Sequence, residues 1–305
     1  MASSPRPNQD RRTRRARGRA APARRSSRWR WWGWLPAIVA IGLAVAGFLL
    51  LSRPSSDPVP WAKLGTQDVH SLAFGDDASR LLFGHHGGIS ESRDGGRTWT
   101  ALAARDDAMG MAPATDGSIV VAGHEVFTAS GDGGATWTSI QTDLPSLDIH
   151  GFARDPADPA RMWAVLATGG LYESLDGGRT FAKVFGDDLV FPVAASAAGT
   201  TLLFAVSASG LVVSKDGGRT FAPLSSPKLF PIASLAATPD GETLVGGGPD
   251  GLWRSDDGGQ SWRDLGFDPG AAAVAVSPER DVIAVVTRDT AFFRSDDGGA
   301  TWPGP

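Results

Sequence analysis

The sequence contains no cysteine, so disulfide bonds and thiolate metal sites are excluded. It also has little positive charge after residue 30, where 18 basic residues stand against 32 acidic ones. Residues 1–30 are the opposite, with 11 arginines and one aspartate. The overall net charge of −4 therefore combines a strongly basic tail with a strongly acidic remainder.

The segment that follows the basic tail is apolar. Residues 31–51 contain no charged side chain over 21 positions, close to the ~20 residues that span a bilayer. The following Leu51-Ser52-Arg53-Pro54 offers no small-residue cleavage site, which favours an uncleaved anchor over a cleavable signal peptide. We therefore predict an arginine-rich cytoplasmic tail (1–30), a transmembrane signal-anchor helix (31–51) and a linker (52–59).

This arrangement predicts where the protein lies. Because arginine clusters stay on the cytoplasmic side, the chain beyond residue 51 is expected outside the cytoplasm, attached to the cell membrane by one span. The basic tail beside a span is better explained by topology and anionic lipid than by nucleic acid, so no nucleic-acid partner is expected.

One eight-residue phrase, Ser-x-Asp-x-Gly-x-Thr-Trp or a close variant, occurs six times. Successive copies start 38, 44, 40, 41 and 40 residues apart. A period of roughly 40 to 50 residues with short apolar runs between turns is typical of a β-propeller. The copies are SRDGGRTW (92–99), SGDGGATW (130–137), SLDGGRTF (174–181), SKDGGRTF (214–221), SDDGGQSW (255–262) and SDDGGATW (295–302).

Each copy joins two apolar runs and is interpreted as a hairpin turn. The aspartate can accept backbone N–H groups across the turn, and glycine supplies the positive φ that tight turns need. The phrase resembles the Asp-box, or BNR repeat, of sialidases and other propellers. The structural aspartates are then Asp94, Asp132, Asp176, Asp216, Asp257 and Asp297.

The intervals divide into three predicted strands before each phrase and one after it. The sixth copy ends at Trp302, which leaves no room for its last strand, whereas PWAKLG at residues 60–65 resembles the strand after the third copy. We therefore predict an all-β, six-bladed propeller over residues 60–305, with the N-terminal strand completing the sixth blade and removing exposed sheet edges.

The repeat also sets a register that shows where unusual residues gather. His70, Met109 and His150 hold one equivalent position near the start of the first strand in blades one to three. His86 and His124 lie six residues before the phrase in blades one and two. All five histidines, with His85, therefore fall on the loop face of three neighbouring blades. Acidic residues of the same region are Asp68, Asp106, Asp107, Glu125 and Asp148.

These residues predict a ligand-binding face formed by His70, His86, Met109, His124 and His150. The metal hypothesis is that His70, His86, His124 and His150 bind a divalent or copper-type cation, because imidazole suits first-row transition metals and thioether suits Cu(I). The alternative is that they are polar residues of a partner-binding surface or hydrogen-bonded channel histidines. No short metal-binding motif decides between the two.

Over residues 60–305 the chain resembles membrane-anchored bacterial BNR proteins labelled glycosyl hydrolase or sialidase-like and, more distantly, propellers that assist photosystem II assembly. The first resemblance implies glycoside cleavage with a tyrosine nucleophile and three arginines. The chain departs from it, because Tyr172 lies in a third strand and most arginines after the tail lie in or beside the repeats. An acidic face also repels a sialic acid carboxylate, so sialidase activity is not expected.

A different glycosidase needs only two carboxylates that flank the sugar. The candidates are Asp107 and Asp148, with Asp106, Asp187 and Asp188 as further loop carboxylates. The function we predict is a membrane-anchored binding or scaffold module for a protein, glycan or metal ligand, recognised on blades one to three. The alternative is a hydrolase of extracellular glycans.

Overall fold

A computed structural model of the protein describes residues 57–305 except 105, 187–188 and 226–231. In this part of the chain, 24 strands form six four-stranded antiparallel sheets. The predicted tail and anchor lie outside the described residues. Within the described ranges, no helix has the length and apolar character needed to cross a membrane.

The strands occupy equivalent places in the six sheets. The first strands are β2 (Ser71–Phe74), β6 (Gly110–Pro113), β10 (Ile149–Arg154), β14 (Leu189–Ala197), β18 (Ser234–Ala237) and β22 (Ala273–Val276). The second strands are β3 (Leu81–His85), β7 (Ile119–Gly123), β11 (Met162–Leu166), β15 (Thr200–Ser207), β19 (Leu244–Gly248) and β23 (Ile283–Val286). The third strands are β4 (Gly88–Ser92), β8 (Val126–Ser130), β12 (Leu171–Ser174), β16 (Gly210–Ser214), β20 (Gly251–Ser255) and β24 (Ala291–Ser295). The fourth strands are β5 (Thr100–Ala101), β9 (Thr138–Ser139), β13 (Ala182–Phe185), β17 (Ala222–Pro223), β21 (Arg263–Asp264) and β1 (Ala62–Lys63).

The six sheets are the blades of a propeller. Each first strand contacts the first strands of both neighbouring sheets, and the series closes where β2 contacts β22. The same strands line a central channel cavity of about 310 Å³. The six-bladed all-β architecture predicted from the repeat is therefore confirmed.

The fourth strand of the last blade comes from the start of the domain. β1 runs antiparallel to β24, with Ala62 opposite Phe292 and Lys63 opposite Ala291. Just before β1, the Trp61 backbone N–H donates to the Phe292 carbonyl over 2.8 Å, and its indole N–H donates to the Pro303 carbonyl over 2.7 Å. The PWAKLG segment thus lies in the sixth sheet.

The repeated phrases form the turns between third and fourth strands. In the first copy the Ser92 hydroxyl donates to Asp94 and accepts the Gly96 N–H, and Asp94 accepts both the N–H and the hydroxyl of Thr98. The other five copies make the same set of bonds, with serine in place of threonine once. The aspartate is fully used by its own turn, which explains why the repeat predicts fold and not chemistry.

The core lies between blades and not within single sheets. Each hydrophobic cluster joins residues of two adjacent blades, as where Leu72 and Phe83 of the first blade pack with Val286 and Phe292 of the sixth. Phe83 is fully buried, and burial of such a side chain contributes about 1.5–3 kcal/mol. The second glycine of each repeat turn allows a hydrophobic side chain of the neighbouring blade to pack against the turn. A Cβ at Gly96, which has a φ of 100°, would lie 2.0 Å from the Phe292 ring.

Candidate functional site

Seven histidine and aspartate side chains from blades one to three meet where the first and second strands of these blades adjoin their loops. They form three overlapping groups of three residues, and the potential ligand atoms within each group lie within 4.8 Å of one another. Together the groups form one continuous array, which we call the rim cluster. The rim cluster consists of Asp68, His70, His86, Asp107, His124, Asp148 and His150.

Two of the histidines are presented by equivalent tight turns. His86 directly follows β3 and His124 directly follows β7, and each begins the two-residue turn that leads into the third strand. Glu125 completes the second turn with a φ of 58°, a conformation uncommon for a residue other than glycine. The repeat register that aligned His86 with His124 is therefore confirmed.

The other two histidines come from first strands. His70 lies immediately before β2, and its backbone N–H donates to the Gly84 carbonyl over 3.1 Å. His150 lies inside β10, at an irregularity where the register shifts between Ile149 and Gly151. A bulge of this kind redirects a side chain, and such bulges are over-represented next to active sites.

Asp107 is held in place by close backbone packing. Its carbonyl oxygen would lie 2.2 Å from a Cβ added at Gly123, so only glycine leaves room for it there. The next residue, Ala108, accepts a hydrogen bond from the Ser71 hydroxyl and donates its N–H to the His85 carbonyl. The segment between blades one and two is thereby fixed against both β3 and β7.

The Asp107 carboxylate is buried and has no hydrogen-bond partner among the described residues. Only 9% of the residue is exposed, and both oxygens are inaccessible to solvent. Oδ1 lies 3.3 Å from Nε2 of His70, and Oδ2 lies 2.5 Å from Nδ1 of His124, yet neither contact has hydrogen-bond geometry. A buried, unsatisfied carboxylate costs free energy unless another group compensates it.

Further contacts complete the two ends of the array. Asp68 accepts the His86 backbone N–H over 3.0 Å and contacts Nδ1 of the His86 ring, which lies 2.8 Å from Nε2 of His70. At the other end, Oδ1 of Asp148 lies 3.1 Å from Nε2 of His150 and 3.4 Å from Nε2 of His124.

At the end of the array that contains Asp68 and His70, the pKa values of both residues favour the forms that bind metal ions. Burial, opposed by the nearby carboxylates of Asp107 and Asp68, lowers the pKa of His70 below its ordinary value. Burial raises the pKa of Asp68, but hydrogen bonds from His86 and the charge of His70 bring it below the usual value. A neutral imidazole and an ionised carboxylate are the forms that bind metal ions.

The structure separates the predicted site residues. His70, His86, His124, His150, Asp107 and Asp148 converge, whereas His85 lies at the end of β3 and stacks on Phe83, 5.6 Å between ring centroids. Met109 lines the central channel cavity beside His70 and His150. Asp106 is exposed, and Asp187 and Asp188 lie outside the described residues.

Asp68 is the member of the rim cluster that the sequence does not predict as a site residue, and Asp107 and Asp148 are predicted only as catalytic carboxylates. Asp68 lies two residues before His70, and the acidic composition of the region was its only signal in the sequence. A second cavity, of about 630 Å³, lies between blades two and three beside Arg154 and Arg179, and no residue of the rim cluster lines it.

Comparison with known proteins supports the fold. No protein-family model matches the chain, and no curated protein sequence matches it. Among solved structures it is similar to the GH74 xyloglucanase from Xanthomonas campestris, with 25% sequence identity and a TM-score of 0.50. The alignment covers 75% of this chain and 37% of the xyloglucanase. The Niastella koreensis GH74 enzyme gives 18% identity and a TM-score of 0.52, over 79% of this chain and 48% of that one.

A third similar structure is not a GH74 enzyme. YCF48 from Cyanidioschyzon merolae gives 18% identity and a TM-score of 0.50, over 80% of this chain and 88% of that one. The chain spans less than half of the length of either GH74 enzyme. The neighbours share the propeller fold, and the narrower resemblance to membrane-anchored BNR proteins stays a prediction.

Proposed function

We propose that the protein is a binding module whose rim cluster holds a divalent transition-metal cation. The observation that carries this proposal is Asp107, a buried carboxylate whose two oxygens face histidines and have no hydrogen-bond partner in the part of the chain that the structure describes. A cation among these groups satisfies the carboxylate and the facing ring nitrogens together.

The donor set defines the kind of cation. Four imidazoles and three carboxylates suit Zn²⁺ or Cu²⁺ better than Ca²⁺ or Mg²⁺, which prefer oxygen ligands. Among the described residues, the ion pairs of Asp68, Asp107 and Asp148 are all with histidines. Because no lysine or arginine among the described residues pairs with these carboxylates, the rim cluster favours a bound cation.

Metal analysis of the purified full-length protein tests the proposal. We expect bound zinc or copper by elemental analysis, and binding of added Zn²⁺ by calorimetry. His70→Ala and His150→Ala should each weaken binding, whereas His85→Ala should leave it unchanged, because His85 lies beside His86 in sequence but outside the rim cluster. A wild-type protein that binds no Zn²⁺ would end the proposal.

Glycoside hydrolysis is the second candidate, and similarity to two GH74 enzymes is what favours it. Asp107 and Asp148 would be its carboxylates, and both contact His124, one near each ring nitrogen. A screen of the protein against fluorogenic glycosides and xyloglucan tests it. Turnover that is lost in Asp107→Asn or Asp148→Asn would favour the hydrolase over the binding module.

We also propose that the module faces the extracytoplasmic side from a single-pass anchor and presents blades one to three to a protein or glycan. The support is the sequence of residues 1–51, basic and then apolar. Protease treatment of intact cells or spheroplasts tests the orientation. A propeller protected until the membrane is broken would refute it.

A further inference from the structure

Two parts of the rim cluster can each bind an ion without sharing a side chain. One triad is Asp68, His70 and His86, and the other is His124, Asp148 and His150. A third group joins His86, Asp107 and His124, so it takes one histidine from each triad. The array is therefore wide enough to hold more than one ion.

Within each triad the donor atoms converge. In the first, Nε2 of His70 and Nδ1 of His86 are 2.8 Å apart, and both rings adjoin Asp68. In the second, the Nε2 atoms of His124 and His150 are 3.2 Å apart, and Oδ1 of Asp148 is within 3.4 Å of both. Each triad thus offers three ligand atoms, the protein contribution typical of a zinc site that keeps one position open.

Asp107 lies between the triads and reaches each with a different oxygen. Its Oδ1 faces His70 of the first triad, and its Oδ2 faces His124 of the second. Because Oδ2 faces Nδ1 of His124 and not the Nε2 that belongs to the second triad, Asp107 would orient the His124 ring as a donor and would not bridge the two ions. The centroids of the His86 and His124 rings are 6.2 Å apart, which leaves the triads adjacent but separate.

We propose that the rim cluster binds two divalent transition-metal cations, one in each triad, with Asp107 between the two triads. This inference rests on the proposed metal binding. The triads differ in exposure. The Asp68 triad contains the least exposed side chain, His70 at 14%, with Asp68 at 27% and His86 at 58%, whereas the three side chains of the other triad are 42–45% exposed. The first ion therefore binds in the Asp68 triad and the second, more exchangeable ion binds in the Asp148 triad.

Stoichiometry of Zn²⁺ binding to the full-length protein tests the proposal. We expect two equivalents in the wild type and in His85→Ala, and one equivalent in each of His70→Ala and His150→Ala. Asp107→Asn should weaken both binding steps at least about tenfold, the usual scale for loss of a group that supports metal ligands. Circular dichroism of each variant verifies that it is folded.

The outcomes separate this inference from the proposed function. One equivalent of Zn²⁺ in the wild type, abolished by either histidine variant, would show a single shared ion and overturn the inference while the metal-binding function stands. No binding in the wild type would end both. A second measurement needs no variant, because two neighbouring Cu²⁺ ions broaden each other's electron paramagnetic resonance signal. Two equivalents with independent signals would also overturn the proposal, because the two triads adjoin each other.

Discussion

The Nδ1 atom of His124 lies 2.5 Å from Oδ2 of Asp107, and the carboxylate of Asp107 still has no hydrogen-bond partner within the described ranges. Asp107 lies in the segment between blades one and two, and His124 lies in a turn of blade two. In the absence of a ligand, a buried carboxylate of this kind opposes folding. A substitution of Asp107 should therefore weaken ligand binding without lowering the stability of the ligand-free protein.

Replacement of Asp107 tests this expectation. In chelator, Asp107→Asn should melt at or above the wild-type temperature, because the variant no longer buries a charge. At zinc about 100 times the wild-type Kd, the wild type should gain about 2.7 kcal/mol, a rise of about 5–10 °C. The variant should gain less than half of this rise. Thermal melts followed by circular dichroism measure both quantities.

The control for this experiment is Asp106→Asn, which changes the exposed neighbouring aspartate. It should behave as the wild type with and without zinc. A large drop in the melting temperature of Asp107→Asn in chelator would contradict the interpretation, because it would make Asp107 a structural residue of the apo protein.

A second prediction concerns the glycine that makes room for Asp107. In Gly123→Ala the new Cβ would meet the Asp107 carbonyl at 2.2 Å, so the segment carrying Asp107 must shift. We expect a loss of about 1–3 kcal/mol in stability and a weakening of Zn²⁺ binding. Gly131→Ala is the matched control, because a Cβ there has open space. Denaturant unfolding and calorimetry check the pair, and equal behaviour of the two variants would refute the role of Gly123.

Much of the fold follows from local sequence. The repeated phrase fixes a turn through its own side chains, as Asp94 does with Ser92 and Thr98. Six evenly spaced turns then determine the number of blades. The same register places His86 and His124 at equivalent turn positions and aligns His70 with His150 near the first strands, so the four histidines of the rim cluster could be predicted from the sequence.

The convergence of these side chains depends on contacts between segments that no local pattern shows. His150 owes its place to a bulge in β10, and Asp107 owes its place to the close approach at Gly123. Asp68 joins through the backbone N–H of His86. His85 shows the opposite case, because strand alternation turns it away from its neighbour His86 and onto Phe83.

A third prediction concerns acid stability of the repeat turns. Hydrogen bonds from the Thr136 hydroxyl and N–H lower the pKa of Asp132 to about 2. Because the folded pKa is below the unfolded value of about 3.9, Asp132 stabilises the fold above that pH, and the contribution is lost as the pH falls towards 2.

The variant Asp132→Asn should therefore melt below the wild type at pH 7, and the gap should narrow between pH 4 and pH 2. Asp268→Asn, at an exposed loop position, is the control and should show no such gap. Thermal melts across this pH range provide the measurement. A gap that stays constant down to pH 2 would show that the ionised carboxylate is not the stabilising form.

The last prediction concerns the strand that completes the sixth blade. Trp61 packs against the core between blades six and one, its indole N–H donates to Pro303, and the Arg97 guanidinium lies 4.7 Å from its ring centroid. Trp61→Ala should cost about 2 kcal/mol, below the range for a fully buried tryptophan, and lower the melting temperature by about 4–8 °C. Lys63→Ala, two residues along the same segment, removes only an exposed ion pair with Asp289 and should change stability by less than about 1 kcal/mol. Thermal and denaturant unfolding of both variants compare the two costs. If Trp61→Ala were as mild as Lys63→Ala, the N-terminal strand would contribute little to the closed ring, and the sixth blade would be stable with three strands.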